Sequence, residues 1–339
     1  MDVPKISVIL PVYNGSAYIC ESIDSILKQH FADFELIIVN DASSDNCKEL
    51  INQYTDSRIN YIEHAKNEGL VAALNTGILL ARGKYIARMD QDDISMPNRL
   101  QLQFDFMEKN ENCVLLGTQI QILDGIKSSK MFCGSEDLKS SLLFGTSFAH
   151  PSVMMRASVL RRSELFYEER FKHAEDYGLW TLLALHGAIE NLPDICLKYR
   201  KHHSQYTKVF SNEMIQASRY IRNNYLKACG VSMGENDLET LNMIAEKSAN
   251  IADESVIEKI GCFLERLSTI CAGSRFNADS LKKVSYIQWR QLCGERQKKG
   301  YGTYGLYKKF HFRHSIKDLR THAWFFRHIF FKKNNMYSV

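Results

Sequence analysis

Residues 34–45 read FELIIVNDASSD, an apolar and β-branched run followed at once by short polar residues. A run of this kind, bounded by turn-forming residues, predicts a buried β-strand that ends near Asn40. Four more strands of the same character are predicted at 6–10, 59–63, 85–89 and 113–122. Segments with apolar residues at helical spacing lie between the strands, so the pattern predicts an α/β domain with a largely parallel sheet.

The pattern changes twice further along the chain. From about residue 133 to 206 it loosens, with one strand predicted at 152–155 and a helix beginning near Asp176. Beyond residue 208 the spacing is helical, as in 214–228 and 256–270, without strand signals. We therefore predict an α/β domain over 1–208, a helical accessory region over 209–295 and a basic aromatic tail over 296–339.

Composition excludes several classes of protein. The chain has 339 residues with 45% hydrophobic and 24% charged residues and five prolines, which is typical of a globular protein and excludes disorder, collagen and small disulfide scaffolds. Nine cysteines without a Cys-x-x-Cys pair favour reduced thiols. The sequence shows neither an apolar span of ~18 residues nor a signal peptide. We expect a cytoplasmic protein.

Polar residues follow three of the predicted strands, at the edge of a parallel sheet where ligands bind. They are PVYNG (11–15), NDASSD (40–45) and DQDD (90–93). Ordinary turn and cap chemistry explains Asn14, Ser43 and Asp45 equally well when each is taken alone. The three carboxylates of DQDD are different, because they repel one another unless a cation or hydrogen-bond donors neutralise them.

Carboxylate oxygens suit Mg²⁺ or Mn²⁺, and such an ion commonly bridges one or two carboxylates to a diphosphate. The usual metal-independent cradles for phosphate are absent from the sequence. No Gly-x-Gly-x-x-Gly follows the first strand, which counts against a dinucleotide dehydrogenase, and the segment from Gly77 to Lys84 has the wrong spacing for a P-loop. The sequence therefore predicts a metal-assisted site for a nucleotide diphosphate.

Four motifs in order resemble family 2 glycosyltransferases of the GT-A fold, of the bacterial polysaccharide-assembly type. They are PKISVILPVYN (4–14), FELIIVNDASSD (34–45), NEG (67–69) and DQDD (90–93). The resemblance covers residues 4–207. It implies a GT-A nucleotide-diphospho-sugar transferase fold with a mostly parallel Rossmann-like sheet, and the helical spacing beyond residue 208 adds a C-terminal helical appendage.

The resemblance also implies a nucleotide site. Tyr13 and Asp41 match the residues that stack on and hydrogen-bond the base, and Pro11 lines the same pocket. Asn67 and Asp90 are expected to contact the nucleotide as well.

DQDD matches the DxD motif of the family, which holds the ribose and the divalent metal. Asp92 and Asp93 are the expected metal ligands. The doubled aspartate leaves two registers open, of which we favour Asp92. The segment YRKH (199–202) is similar to the closing loop of the family, whose histidine can complete the metal site. His202 is the expected ligand, although His203 stands beside it.

Ala174-Glu175-Asp176-Tyr177 is similar to the Glu-Asp motif of the family, whose aspartate is the catalytic base in inverting members. Taken alone, Glu175 and Asp176 are more simply explained as acids that complement a helix dipole. Next to a diphosphate site the catalytic interpretation is favoured, since transfer requires a base for the incoming hydroxyl. His150 precedes a strand and is a candidate for the acceptor pocket, though a turn explains it equally well.

The tail carries most of the positive charge of the chain. Residues 296–339 contain 11 Lys and Arg and one acid, Asp318, interleaved with aromatic residues. This composition favours attachment to the anionic inner leaflet of the cell membrane. Packing on the protein, or an oligomer contact, is the second interpretation. Nucleic acid is not expected as a partner, and no oligomeric state is indicated.

These observations predict a metal-dependent, inverting hexosyl- or N-acetylhexosaminyl-transferase that uses a nucleotide-diphosphate sugar, most simply a UDP-sugar. By resemblance, the acceptor is a saccharide, expected to be lipid-linked, in the biosynthesis of a surface polysaccharide such as capsule or O-antigen. Two alternatives stay open. A metal-dependent nucleotidyltransferase would use the same carboxylates, and a catalytically silent carbohydrate- or membrane-binding module would show no turnover.

Overall fold

The computed structural model describes residues 3–123, 131–201 and 212–310. His202 and residues 311–339 of the predicted tail lie outside these ranges. Eight strands are found in the described residues: β1 (Ile6–Val12), β2 (Phe34–Asn40), β3 (Ile59–Glu63), β4 (Tyr85–Arg88), β5 (Ile94–Ser95), β6 (Cys113–Ile122), β7 (Met154–Arg156) and β8 (Ala188–Tyr199).

The strands form one sheet in the order β3-β2-β1-β4-β7-β6-β8-β5. The pairs β1/β2, β1/β4, β2/β3 and β6/β8 are parallel, whereas β4/β7, β6/β7 and β5/β8 are antiparallel. The predicted α/β class with a mostly parallel sheet is confirmed. In the parallel half, β1, β2 and β4 end side by side, so the loops that follow them converge at one edge.

Helices connect the strands: α1 (Ile19–Leu27), α2 (Cys47–Ile51), α3 (Leu70–Leu80), α4 (Arg99–Lys109), α5 (Ser135–Ser141), α6 (Ala157–Arg162) and α7 (Glu175–His186). Short 3₁₀ turns lie at His150–Ser152 and Glu169–Phe171. Every residue of β1 and β2 is buried, as expected for parallel strands covered on both faces. Ile19, Ile23 and Ile26 of α1 belong to the same buried core as the strands.

Strand β8 was not predicted from the sequence. Its segment AIENLPDICLKY contains Pro193 and Asp194, which are disfavoured inside strands. The pairing with β6 shifts between Thr118, opposite Leu192, and Gln119, opposite Ile195. The irregularity leaves Pro193 and Asp194 out of the ladder, and β8 therefore continues as one strand to Tyr199.

The chain passes from a first compact unit into a second within α8 (Asn212–Ala228), between residues 222 and 223. The second unit, described to Phe310, also includes residues 143–145. Its further helices are α9 (Glu235–Ala245), α10 (Glu254–Ile270), α11 (Ala278–Lys298) and α12 (Tyr304–Lys309). The domain boundaries at 208 and 295 stay predictions.

The core of the second unit lies between α10, α11 and the end of α12. Phe263 and Trp289 are buried, and the ring of Phe310 meets that of Trp289 edge-on at 5.0 Å. Asp253 and Asn277 cap α10 and α11, each accepting hydrogen bonds from backbone N–H groups of the first turn. Across the described ranges no helix is long and apolar enough to cross a bilayer.

Candidate active site

The loops after β1 and β2 bind each other through short polar side chains. The Asn14 N–H donates to Ser43 Oγ at 3.0 Å, and the Ser44 N–H donates to Asn14 Oδ1 at 2.8 Å. The Ser16 N–H donates to Asp45 Oδ2 at 2.9 Å. Asn14, Ser43 and Asp45 thus form the loop hydrogen bonds that are one of the two interpretations of these residues in the sequence. They hold Tyr13, whose side chain is 46% exposed, at the end of β1.

Asp41 joins the end of β2 to the segment before α3. Its carboxylate is 3% exposed and accepts from the N–H groups of Glu68 at 2.9 Å and Gly69 at 2.7 Å, and from His64 Nδ1 at 2.8 Å. Gly69 presents its N–H from a left-handed backbone with φ of 93°, which favours glycine. Oδ2 accepts one of these bonds, so the carboxylate keeps acceptor capacity for a base N–H group.

Two further predicted nucleotide residues lie near Asp41 along the chain. Asn67 is exposed and immediately precedes the Glu68–Gly69 segment that binds Asp41. Pro11 is buried in β1 opposite Val39 of β2. His64 was missed in the sequence, although its position one residue after the end of β3 puts it at the same sheet edge.

Asp90, Asp92 and Asp93 follow β4 and form a carboxylate cluster, with one ligand atom from each within 4.8 Å of the others. Asp93 is 1% exposed, and its Oδ1 accepts the Arg200 N–H at 2.9 Å. Burial and the neighbouring Asp90 raise the pKa of Asp93 to about 8. Burial also raises the pKa of Asp90. The fold thus holds three acids together where ionising all of them is unfavourable.

The donor set fits a hard divalent cation. Asp93 Oδ2 is buried and has no hydrogen-bond partner among the residues that the structure describes. A buried acceptor without a partner is costly, and an ion at the cluster would satisfy it. Oxygen ligands from two or three carboxylates are those that Mg²⁺ and Mn²⁺ prefer. Because all three aspartates converge, the geometry leaves both Asp92 and Asp93 as candidate ligands.

Arg88, the last residue of β4, places a positive charge beside this cluster. Its side chain is 3% exposed, and Nη2 forms an ion pair with Asp90 Oδ1. Arg99 of α4 supports it by donating from Nη2 to the Arg88 carbonyl at 2.7 Å. Arg88 was not predicted from the sequence as a site residue, although a charged residue in the apolar strand YIAR is itself a signal, since buried arginines are rare without a partner.

Arg200 ties the end of β8 to the same cluster. Besides its N–H bond to Asp93, its Nε donates to the Asp92 carbonyl at 2.9 Å. The guanidinium lies over the ring of Tyr18, 4.6 Å from the centroid, and pairs with Glu21 of α1. The sequence indicated Arg200 only as part of the segment 199–202 and missed its contacts with the carboxylates.

Glu175 and Asp176 lie in the first turn of α7. Burial and the adjacent Glu175 raise the pKa of Asp176 to about 7, and burial raises the pKa of Glu175. The Tyr177 N–H donates to Asp176 Oδ1 at 2.6 Å. Arg88, which pairs with Asp90, also opposes the rise in the pKa of both acids through its positive charge. The two acids and the carboxylate cluster therefore share one electrostatic environment, set by Arg88. A carboxylate with a pKa near neutrality suits a general base.

His150 lies next to this environment and pairs with Tyr167. His150 Nε2 and the Tyr167 hydroxyl are 2.8 Å apart. Burial, followed by the charge of Arg88, lowers the pKa of His150 well below its usual range, so the imidazole is neutral near pH 7. Asn75 holds the Tyr167 peptide, accepting from its N–H at 3.0 Å and donating to its carbonyl at 2.8 Å. Tyr167 had no distinguishing signal in the sequence.

The structure therefore assembles the predicted residues from five separated segments. The base-pocket candidates lie at the end of β1 and after β1, β2 and β3, the carboxylate cluster lies after β4, and Glu175 and Asp176 begin α7. His202 lies outside the described residues. The individual roles of these side chains stay predictions.

Comparison with known proteins agrees with this arrangement. The family model described as Glycosyl transferase family 2 matches residues 7–162. An uncharacterized glycosyltransferase of Haemophilus influenzae is 30% identical over 260 residues, which cover 71% of this chain and 79% of that protein. The UDP-Glc:alpha-D-GlcNAc-diphosphoundecaprenol beta-1,3-glucosyltransferase WfgD of Escherichia coli is 31% identical over 221 residues, 65% of this chain and 85% of that protein.

Among solved structures, S. aureus TarS 1-349 in complex with UDP-GlcNAc superimposes with a TM-score of 0.62 at 19% sequence identity, covering 88% of this chain and 92% of TarS 1-349. This similarity shows a shared fold and confirms the predicted GT-A architecture with a helical C-terminal part. The sequence relatives confirm that the protein is a glycosyltransferase. The chain belongs to glycosyl transferase family 2.

Proposed function

We propose that this protein is a metal-dependent inverting glycosyltransferase that moves a sugar from a UDP-sugar to a hydroxyl group of a saccharide. One observation carries the proposal. The carboxylate cluster Asp90, Asp92 and Asp93, which suits a cation and a diphosphate, shares its electrostatic environment with Asp176, a carboxylate whose pKa is raised to about 7.

Residues after β1, β2 and β3 would bind the nucleotide. The exposed ring of Tyr13 offers a stacking surface, and Asp41 offers acceptor capacity for a base N–H. A Mg²⁺ or Mn²⁺ ion held by Asp92 and Asp93 would neutralise the charge of the departing diphosphate. Asp90 is fixed by Arg88 and would contact the donor beside them.

Asp176 would act on the acceptor. Its ionised carboxylate takes the proton of the acceptor hydroxyl as the oxygen forms a bond to the anomeric carbon of the donor sugar. The bond from that carbon to the diphosphate oxygen breaks, and the electron pair leaves with the nucleoside diphosphate. One displacement inverts the anomeric centre. Glu175 supports this role by raising the pKa of Asp176.

The similar proteins support a choice of substrates. TarS 1-349 was solved with UDP-GlcNAc, and the name of WfgD specifies UDP-Glc and a GlcNAc-diphosphoundecaprenol acceptor. We infer that the donor is a UDP-hexose or UDP-N-acetylhexosamine and that the acceptor is a lipid-linked saccharide for a surface polysaccharide. Such an acceptor is membrane-bound, which would place the protein peripherally on the inner face of the membrane.

The test is a screen for nucleotide release over UDP- and GDP-sugars with an undecaprenyl-diphosphate saccharide, in Mn²⁺, in Mg²⁺ and in EDTA. We expect UDP release that requires the metal and is lost in Asp176→Asn. The matched control is Asp105→Asn, which alters an exposed acid on α4. Release of pyrophosphate with transfer of the nucleotide would instead identify a nucleotidyltransferase. Absence of turnover in every combination would favour a silent binding module.

A further inference from the structure

Gln91 stands between two carboxylates in sequence, but its side chain binds the loop after β1. Gln91 Oε1 accepts the Tyr13 N–H at 2.9 Å, and Gln91 Nε2 donates to the Tyr13 carbonyl at 3.1 Å. The amide therefore satisfies both polar groups of Tyr13 in the manner of a strand partner. These groups are not bonded to β2, because the ladder between β1 and β2 ends at Val12 and Asn40.

The loop is shaped to receive this amide. A Cβ atom on Gly15 would lie less than 3.0 Å from Gln91 Oε1, so the residue two positions after Tyr13 must be glycine while Gln91 holds its position. The Gly15 N–H is itself bonded to Cys47 Sγ at 3.2 Å. The loop is thus fixed on one side by the loop after β2 and the first residue of α2, and on the other side by Gln91.

Gln91 also shares its backbone with the carboxylate cluster. It lies between Asp90, which Arg88 fixes, and Asp92, whose carbonyl accepts from Arg200. A movement of this segment would therefore be transmitted through the two amide bonds to Tyr13. The contacts form a continuous connection from the carboxylates to the exposed ring.

We propose that Gln91 is a positioning residue that sets the distance between the Tyr13 ring and the carboxylate cluster, so that the base and the diphosphate of the donor are bound on one rigid frame. The proposal rests on the proposed function, which makes the ring a base-stacking surface. Gln91 itself touches neither base nor metal. It increases donor affinity by removing the conformational freedom that the Tyr13 loop would otherwise lose on binding.

The two amide bonds can be removed while the length of the side chain is kept. In Gln91→Met the thioether replaces the amide, and we expect the donor KM and the Kd of UDP with Mn²⁺ to rise roughly 10-fold, as for the loss of two ordinary hydrogen bonds. Because Asp176 and the carboxylates are untouched, kcat should stay within about twofold of wild type. The control is Gln101→Met, since Gln101 donates to Asp105 at the surface of α4.

Gly15→Ala tests the same connection from the other side, because the new Cβ displaces the amide and leaves Gln91 chemically intact. We expect a similar rise in KM. The double variant Gly15→Ala with Gln91→Met should be about as impaired as either single variant, since both break one connection. Thermal melts show which variants are folded, and either single variant is sufficient for the test.

Binding measurements with uridine alone and with Mn²⁺ alone distinguish a positioning role of Gln91 from a general structural defect of the variant. NMR titration with uridine should show a loss of affinity in Gln91→Met similar to that for UDP, whereas Mn²⁺ without nucleotide should bind as in wild type. Unchanged uridine affinity, or a loss of kcat with unchanged KM, would overturn the inference. If the wild type binds UDP-sugars and turns over while both variants behave like Gln101→Met, only the inference fails. If the wild type binds neither UDP nor uridine, the proposed function fails as well.

Discussion

Arg88 and Asp90 form an ion pair at the end of β4, in which Arg88 is buried and Asp90 is a member of the carboxylate cluster. Arg88 Nε and Nη1 are also buried, and they have no hydrogen-bond partner within the described part of the chain. The guanidinium is therefore held more by the charge of the surrounding acids than by hydrogen bonds. This makes Arg88 the fixed countercharge of the site.

Replacing Arg88 tests this role. Arg88→Met should destabilise the metal-free protein by about 3 kcal/mol, because it removes the buried partner of the Asp90 carboxylate. Urea unfolding in EDTA measures the change. The control is Lys28→Met, which breaks the exposed pair with Asp24 and should cost about 1 kcal/mol or less. Equal effects of the two substitutions would contradict the assigned role.

Removing the proposed base should affect chemistry and spare binding. Asp176→Asn should lower kcat by roughly 10²- to 10⁴-fold, the usual contribution of a positioned base. The Kd of UDP with Mn²⁺ should stay within about threefold, since Asp176 lies on α7 and not on the strand ends that would bind the nucleotide. Isothermal titration and steady-state kinetics separate the two quantities. Retention of most of the turnover would exclude Asp176 as the base.

The pH dependence of turnover should follow Asp176. A base acts only when deprotonated, and the pKa of Asp176 is raised to about 7, so kcat should rise with pH through about 7 and level off above about 8. Glu175→Gln removes a negative neighbour that raises this pKa, and the midpoint should therefore move to lower pH. Measurement at saturating donor and acceptor gives the profile of the bound enzyme. A midpoint that does not move in Glu175→Gln would contradict the assignment.

Metal should stabilise the protein more at higher pH. The pKa of Asp93 is raised from 3.8 to about 8, so the folded state holds this proton more tightly than the unfolded state does. An acid whose pKa is raised on folding stabilises the folded state at low pH, and this stabilisation is lost as pH rises from about 4 to about 8. A cation that binds the ionised carboxylates restores it.

We therefore expect millimolar Mn²⁺ to raise Tm more at about pH 8 than at about pH 5.5. Asp93→Asn removes the titrating group. The variant should be at least as stable as wild type in EDTA at the higher pH and should gain little from Mn²⁺. Differential scanning calorimetry at both pH values distinguishes this result from a uniform effect of metal on all variants.

Membrane attachment can be tested without disturbing the helical unit. Leu306, Tyr307 and Phe310 are buried, so packing accounts for these members of the aromatic tail, and a truncation must begin at residue 311. A chain ending at Phe310 should keep its fold and its turnover of water-soluble acceptors. It should lose most of its binding to vesicles that contain anionic lipid, since residues 311–339 carry six Lys and Arg and one acid. Unchanged sedimentation with the vesicles would remove the membrane interpretation.

The fold class could be predicted because it depends on local patterns. The runs at 6–10 and 34–39 are apolar enough to be central strands in any context, and each lies within a central strand of the structure. The more polar run at 59–63 forms β3, the edge strand. Strand β8 could not be predicted, because Pro193 and Asp194 are accommodated only by the shifted pairing with β6.

The sequence by itself determined which strand ends carry the candidate site residues. Tyr13, Asp41 and the aspartates of DQDD follow apolar runs directly, and a parallel sheet brings such positions to one edge whatever the details of packing. Only the tertiary structure decided which charges oppose those of these groups and which hydrogen bonds fix their positions. Arg200 and Tyr167 come from distant segments, and their hydrogen bonds depend on contacts between residues far apart in the chain, which no local pattern encodes. Arg88 stands two residues before Asp90, but its burial depends on the packing around β4.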